Sequence, residues 1–341
     1  MISTVVSNFA PENWDEWISQ NQLEAGITQS LYWATIKPLL DGSKVKFITV
    51  DLGDRRVCQA LFVGNIIRKG PIEITVMDCM GGPMIVENCD HQEILGALLQ
   101  QVKKLKSTFG LQSISFSGFA PTSNLANSDS ILSIFKDFGY NSKKWGTYLI
   151  DLTGAEEDVF GKVSSKCRSK VRKAIRQSVS VKQCDEIISY RKHVIPIYEE
   201  TEIKQVHSLE WDKIRIEHDV KKRYHYFVAY SEDQIPLGTV CVCLYNEVAV
   251  RMGSALTQYS RKMKIPAQDI LTWHSIKYAR DHGANFFDMA GVNPSPSSEK
   301  EVGIRSFKSK WGGEYVEYNL FSKEGRLLKL FKTIHKILTP T

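Results

Sequence analysis

Two stretches of this 341-residue chain echo each other. Q-E-I-L at Gln92–Leu95 and Q-D-I-L at Gln268–Leu271 each open a helical pattern. Each helix ends near a glycine, Gly110 or Gly283, and each following strand closes on a glycine eight residues later, Gly118 or Gly291. A helix followed at the same distance by a strand, twice in one chain, is what a duplicated α/β unit leaves in sequence. Length points the same way, since 341 residues are enough for two ordinary domains. The boundary is expected near Lys143–Thr147, after the small and polar stretch Pro121–Ser130. That gives domains 1–145 and 146–341.

The pattern between these landmarks is mixed α/β. Asn13–Gln22 reads as a short helix. Val45–Asp51 and Val57–Ile67 alternate as strands around G-D-R-R. Gln92–Phe109 places Ile94, Leu95, Leu98, Leu99, Val102 and Leu105 on one helix face, and Leu111–Ser117 is a strand. In the second half Tyr226–Tyr230, Gly238–Leu244 and Val248–Ser254 are strands, Ala267–Asp281 is a helix, and Asn285–Met289 is a buried strand. F-K-S-K-W-G-G at Phe307–Gly313 is expected as a loop.

An apolar content of 43% fits a globular protein with real cores. No run of 18 apolar residues occurs, so no membrane span is expected. Met1–Trp17 is polar and carries acids, unlike a signal peptide. Seven cysteines, scattered without a C-x-x-C pair, are expected as reduced thiols of a cytoplasmic protein. Cys241 and Cys243 share a strand face and are expected in the core. No H-E-x-x-H, P-loop or Ser/His/Asp motif is present, and the eight histidines lack ligand spacing, so no metal site is expected.

The net charge of +6 is unevenly placed. Val159–Cys184 contains no acid but holds Lys162, Lys166, Arg168, Lys170, Arg172, Lys173, Arg176 and Lys182. Thr153–Glu156 reads as a capping box. The helix is expected to break near Gly161 and restart at Ser164 or Ser165. Arg168, Arg172 and Arg176 then fall at i, i+4 spacing. This is either a solvated cationic face or an anion site. Like charges at this spacing repel by a few tenths of a kcal/mol per pair, and arginine suits bidentate phosphate binding, which favours the anion site. An RNA-binding module is the reading from another class, although few aromatics interleave with the charges.

Four motifs resemble the FemABX peptidyltransferases. They are Q-S-L-Y-W-A-T-I-K at Gln29–Lys37, Y-L-I-D-L followed by S-S-K-C-R-S-K-V-R-K-A at Tyr148–Ala174, F-F-D-M-A-G at Phe286–Gly291, and F-K-S-K-W-G-G. The resemblance runs from about Gln29 to Glu317. It implies a tandem pair of acetyltransferase-like (GNAT) domains, each a mixed sheet flanked by helices. It implies an aminoacyltransferase that takes aminoacyl-tRNA as donor, with no tightly bound cofactor, and acts on a nucleotide- or lipid-linked envelope precursor such as a muropeptide. Lys308 matches the lysine at the family's reaction centre, where a fixed cation would stabilise a tetrahedral oxyanion. Asp288 matches a family aspartate, expected to position the amine, accept a proton or cap the following loop. Arg168, then Arg172, match the residues that hold the acceptor's phosphates. Lys37 is either a further phosphate contact or a surface lysine. Trp33 is expected in the core. Glu87 stands near the place of an acceptor-side carboxylate. G-G-P-M-I at Gly81–Ile85 resembles the family's R-G-P turn but has glycine for arginine.

On the donor side, an ordinary acetyltransferase cradles coenzyme A pyrophosphate on a glycine-rich turn at a helix N-terminus. Here the turn is R-K-M-K-I-P-A, Arg261–Ala267. Both glycines are missing and Pro266 removes one N–H. Arg261 and Lys264 could attract a phosphate by charge. The missing glycines favour aminoacyl-tRNA over acyl-CoA, and an acyl-CoA-dependent acyltransferase acting on an envelope polysaccharide or sugar nucleotide is the alternative. No long helical arm is expected between the basic helix and Tyr224. Arg326–Leu338 is a basic amphipathic pattern, expected to dock on its own domain or to lie on an anionic membrane surface.

Overall fold

The computed structural model describes residues 1–21, 26–69, 72–108, 111–119, 128–201, 214, 216–219, 221–326 and 328–329. The chain divides into two compact units. The first comprises Met1–Trp145 and the chain from Glu317 onward, and the second comprises Gly146–Val316. The division falls inside a continuous strand rather than in a loop.

In the first unit, β1 (Ile2–Ser7), β2 (Lys44–Leu52), β3 (Arg55–Lys69) and β4 (Ile72–Gly81) run antiparallel in sequence order, and the short β5 (Met84–Ile85) pairs with β3. β6 (Ser113–Phe119) lies parallel to β4, and Phe321–Glu324 of the closing strand β13 (Glu314–Glu324) pairs with β6. A parallel pair needs a crossover. Helix α3 (His91–Thr108) supplies it, burying the six apolar residues of its predicted face. Phe116, Phe135, Tyr140 and Phe321 close the core, with Phe135 and Phe321 stacked at 3.8 Å. Helices α1 (Trp14–Gln20), α2 (Leu31–Asp41) and α4 (Asp129–Asp137) complete this unit.

The Gln29 and G-G-P motifs prove to be one structural device. The buried Gln29 amide donates to Leu61 O (3.2 Å) and Met80 O (2.9 Å) and accepts from Leu61 N (2.8 Å), tying β3 to the end of β4. A Cβ on Gly82 would come within 2.8 Å of Gln29 Cδ, so the turn needs glycine to admit the amide. Trp33, expected in the core, is only partly buried. Trp14 fills that role, its Nε1 donating to Gln29 O at 2.7 Å.

In the second unit the strand order is β7 (Asn141–Asp151), β12 (Phe286–Asp288), β11 (Val248–Leu256), β10 (Pro236–Tyr245), β9 (Tyr224–Tyr230), β8 (Ser180–Gln183). β11 and β12 are parallel. Helix α10 (Ala267–Asp281) crosses between them, as α3 does between β4 and β6. The echoed helices therefore hold the same topological place in both units. Around the sheet stand α5 (Glu156–Lys162), α6 (Ser165–Arg176), α7 (Ile187–His193), α8 (Ile195–Glu200), α9 (Gln258–Lys262) and α11 (Glu299–Lys308). Trp311, Phe287, Leu271, Ile276 and Val171 are among the buried residues of one core cluster. All seven cysteines are unbridged, with Cys241 and Cys243 buried.

Two further expectations need correction. Thr153 does not cap α5: its hydroxyl and N–H bond to Asp151 Oδ1, and Ala155 holds the cap position. The break near Gly161 is real, and Ser164 caps α6 through Cys167 N. Lys308 is the last residue of a helix, not part of a loop. The amphipathic pattern at 326–338 falls almost wholly outside the described residues. Among those described, no helix is long and apolar enough to cross a membrane.

Candidate active site

The sequence before Lys308 fixes where its side chain goes. Ser298 caps α11, accepting from Glu301 N at 3.3 Å. The Glu301 carboxylate reaches back to Ser297 N (2.7 Å) and Asn293 Nδ2 (3.1 Å), and Arg305 donates to Pro294 O. The loop entering the helix is thus pinned to the helix itself. After Lys308 a single 3₁₀ turn, Ser309–Trp311, drives the Trp311 ring into the core. Burying such a ring contributes roughly 3 kcal/mol. Gly312 then adopts φ +79°, and a Cβ there would lie 2.7 Å from the backbone of Lys162. Only glycine lets the chain pass that close.

Lys308 arrives 9% exposed. Its Nζ donates to Ala290 O and Gly291 O, each at 2.9 Å. An ammonium carries three protons, so one N–H remains for a further acceptor. Burial, followed by repulsion from Arg251 and against the pull of Asp288, brings its pKa down to about 8. The lysine is thus a cation at neutral pH but close to losing its proton.

Asp288 ends β12. Its Oδ1 accepts from Ala290 N at 2.7 Å and from the Thr147 hydroxyl of β7. Burial raises its pKa, and the bonds from Thr147 and Ala290 together with Lys308 oppose that rise. Its contact with Ala290 N is the loop-capping role anticipated as one option. Ala290 itself sits at φ +62°, a conformation that favours glycine, and this turn presents the two carbonyls to Lys308.

Sequence reasoning missed Arg251. It lies on β11, 8% exposed, with its Cζ 5.4 Å from the centre of the Phe307 ring. Nη2 donates to Ser254 Oγ at 2.8 Å, while Nε is enclosed without an acceptor. Burial lowers its pKa to about 10. A lone arginine in V-A-V-R-M-G-S gives no signal in a scan for charge clusters.

The other expected residues fall elsewhere. Arg168 Nη1 donates to Gly161 O (2.6 Å) and Val163 O (2.5 Å), so this guanidinium seals the end of α5. Arg172 is exposed, with Cζ 5.7 Å from the Phe160 ring centre. Arg261, in the last turn of α9, and Lys264, just after that helix, are both exposed, and Lys264 holds φ +52°. Sequence reasoning also missed Asp269, which is buried in the first turn of α10. It lies 3.7 Å from Cys167 Sγ and 3.8 Å from Lys170 Nζ. Lys37, in the first unit, pairs with Asp41 and lies 5.9 Å over the Trp33 ring. Glu87, also in the first unit, is exposed in the bend after β5. The structure therefore brings Lys308 and Asp288 together, with Arg251 beside them.

Residues 189–319 match the family model described as the FemAB family. That span covers β9 to β12 and the whole of α11, including Asp288 and Lys308. This stretch, nearly all of it in the second unit, is thus similar to the FemAB family. The crystal structure of FemX is similar over 97% of this chain and 99% of that chain, with a TM-score of 0.75 at 14% identity. A tandem GNAT protein from the clavulanic acid biosynthesis pathway matches with a TM-score of 0.61 at 11% identity, covering 95% and 98% of the two chains. L-PGS from Bacillus licheniformis matches with a TM-score of 0.59 at 13% identity, covering 96% of each. No curated protein matches by sequence. At these identities the structures speak for the fold, a tandem GNAT-like α/β architecture. The FemAB match and the GNAT-like fold together support an acyltransferase.

Proposed function

We propose that this protein transfers an aminoacyl group from aminoacyl-tRNA to an amine of a phosphate-bearing cell-envelope precursor. The observation that carries the reading is the buried Lys308 ammonium, held by two backbone carbonyls with one N–H left over. Attack of the acceptor amine on the ester carbonyl forms a C–N bond and places negative charge on the carbonyl oxygen. Collapse expels the ribose hydroxyl, and the proton lost by the amine ends on that leaving oxygen. Lys308 acts by meeting the oxyanion, a contribution worth about 3–4 kcal/mol for one well-placed donor. Asp288, next to it, is the group for orienting or deprotonating the amine.

The donor choice rests on the start of α10. The first turn of that helix already contains a carboxylate, Asp269, where a pyrophosphate would need free N–H groups. Lys264 takes the left-handed conformation that a glycine-rich loop would assign to glycine. Both features disfavour coenzyme A. A solved relative of this fold carries the name putative lysylphosphatidylglycerol synthetase, from Agrobacterium fabrum, which also suits an aminoacyl group. Arg172, exposed on α6, is proposed for the acceptor's phosphates. Arg168 is the weaker candidate because its guanidinium is engaged. Lys37, Glu87, Arg261 and Lys264 enter as substrate contacts through the resemblance alone.

The test supplies a mixed pool of radiolabelled aminoacyl-tRNAs and an extract of envelope precursors. The expected result is label in a precursor, identifying the amino acid transferred. No such label, with labelled acetyl-CoA consumed instead, would move the chain to the acyl-CoA-dependent class.

A further inference from the structure

Two cations are buried beside each other in the second unit. Arg251 lies against the Phe307 ring, one residue before Lys308, and its charge reaches the lysine. Among the described residues neither makes an ion pair, and the polar partner of Arg251 is the neutral Ser254 hydroxyl. A guanidinium offers five N–H donors. Here Nη2 alone is bonded, and the enclosed Nε has no acceptor. Asp288 offsets the charge of Lys308, but among the described residues no carboxylate does so for Arg251, and burying a guanidinium without an anion, next to another cation, is unfavourable. A fold keeps such an arrangement most readily when a ligand completes it.

We propose that Arg251, beside Lys308, is the receptor for one anionic oxygen group of a bound substrate, a carboxylate or a phosphate. The guanidinium fork matches two oxygens of either group at once. The aromatic face of Phe307 backs the fork and fixes its plane. The anion also offsets the repulsion on Lys308, so the ammonium keeps its proton when substrate is bound. This rests on the acyl-transfer reading of the Lys308 site, and it adds a recognition element that the family motifs did not supply.

The test reads anion binding by the full chain and needs no transfer activity. Thermal midpoints are followed against inorganic phosphate and against acetate, with ionic strength held constant by sodium chloride. A ligand that binds the folded state raises the midpoint with its concentration. The expected result is a saturating rise in wild type with at least one of the two anions. Arg251→Gln weakens the apparent Kd roughly ten-fold or more, the loss expected for charge-assisted hydrogen bonds. Lys192→Gln, an exposed cation on α7, keeps the wild-type response. Should Arg251→Gln fail to fold, Arg251→Lys replaces it and is expected to weaken binding by losing the fork. A response to phosphate alone assigns a phosphoryl group, and a response to acetate alone assigns a carboxylate. No response in wild type, or one unchanged in the Arg251 variants, overturns the proposal. Intact anion binding without any aminoacyl transfer would sink the transfer reading and leave this one standing.

Discussion

At the scale of single residues, the reactive group is set by three charges. Lys308 would be a fully protonated lysine in water. Burial and Arg251 push its pKa down to about 8, and Asp288 restrains the fall. As an oxyanion stabiliser it works only as a cation, so kcat/KM should fall as pH rises through about 8. A lysine acting as a base would give the opposite slope. Arg251→Met removes a repulsion and should move this alkaline limb to higher pH. Asp288→Asn removes an attraction and should move it to lower pH. Measured pH profiles of the two variants that shift the same way, or not at all, would contradict the charge arrangement.

At the scale of elements, the site depends on how α11 and the turn after it deliver the lysine. Little of α11 was legible beforehand. E-K-E-V-G-I-R-S-F-K has no apolar stripe, and Val302 remains 53% exposed. The helix exists because Ser298 and Glu301 cap it and Trp311 anchors its end, contacts that a periodicity scan does not register. By contrast α10 was read to the residue, because Pro266 starts it, Gly283 follows it and its inner face is apolar. Arg251 stayed hidden because burial, not charge, makes it informative, and burial comes from Phe307, distant in sequence. The turn gives a direct test. Gly312→Ala must adopt positive φ and push into Lys162, so denaturant unfolding should show a loss of about 2–4 kcal/mol. Gly283→Ala shares the positive φ but meets nothing within 4 Å, and should cost only about 1 kcal/mol. Equal losses would show that the close approach to Lys162 is not what the glycine serves.

At the scale of the whole molecule, one plan is used twice. Each unit sets a helix between two parallel strands, and the Gln-x-Ile-Leu echo marks that helix in both. The duplicated pattern was visible in sequence because helix starts and glycine stops survive where most residues have diverged. The place of the closing strand was not visible: β13 returns from the second half to pair with β6, a long-range contact with no local signature. The second unit carries Lys308, Asp288 and Arg251, and it contains nearly all of the family match. The central claim is that Lys308 stabilises the transition state of aminoacyl transfer. The most direct measurement is kcat and KM for transfer from aminoacyl-tRNA by wild type and Lys308→Ala. Loss of one oxyanion donor predicts a fall in kcat of about 10²–10³-fold with KM little changed. A variant that retains the wild-type kcat would contradict the claim.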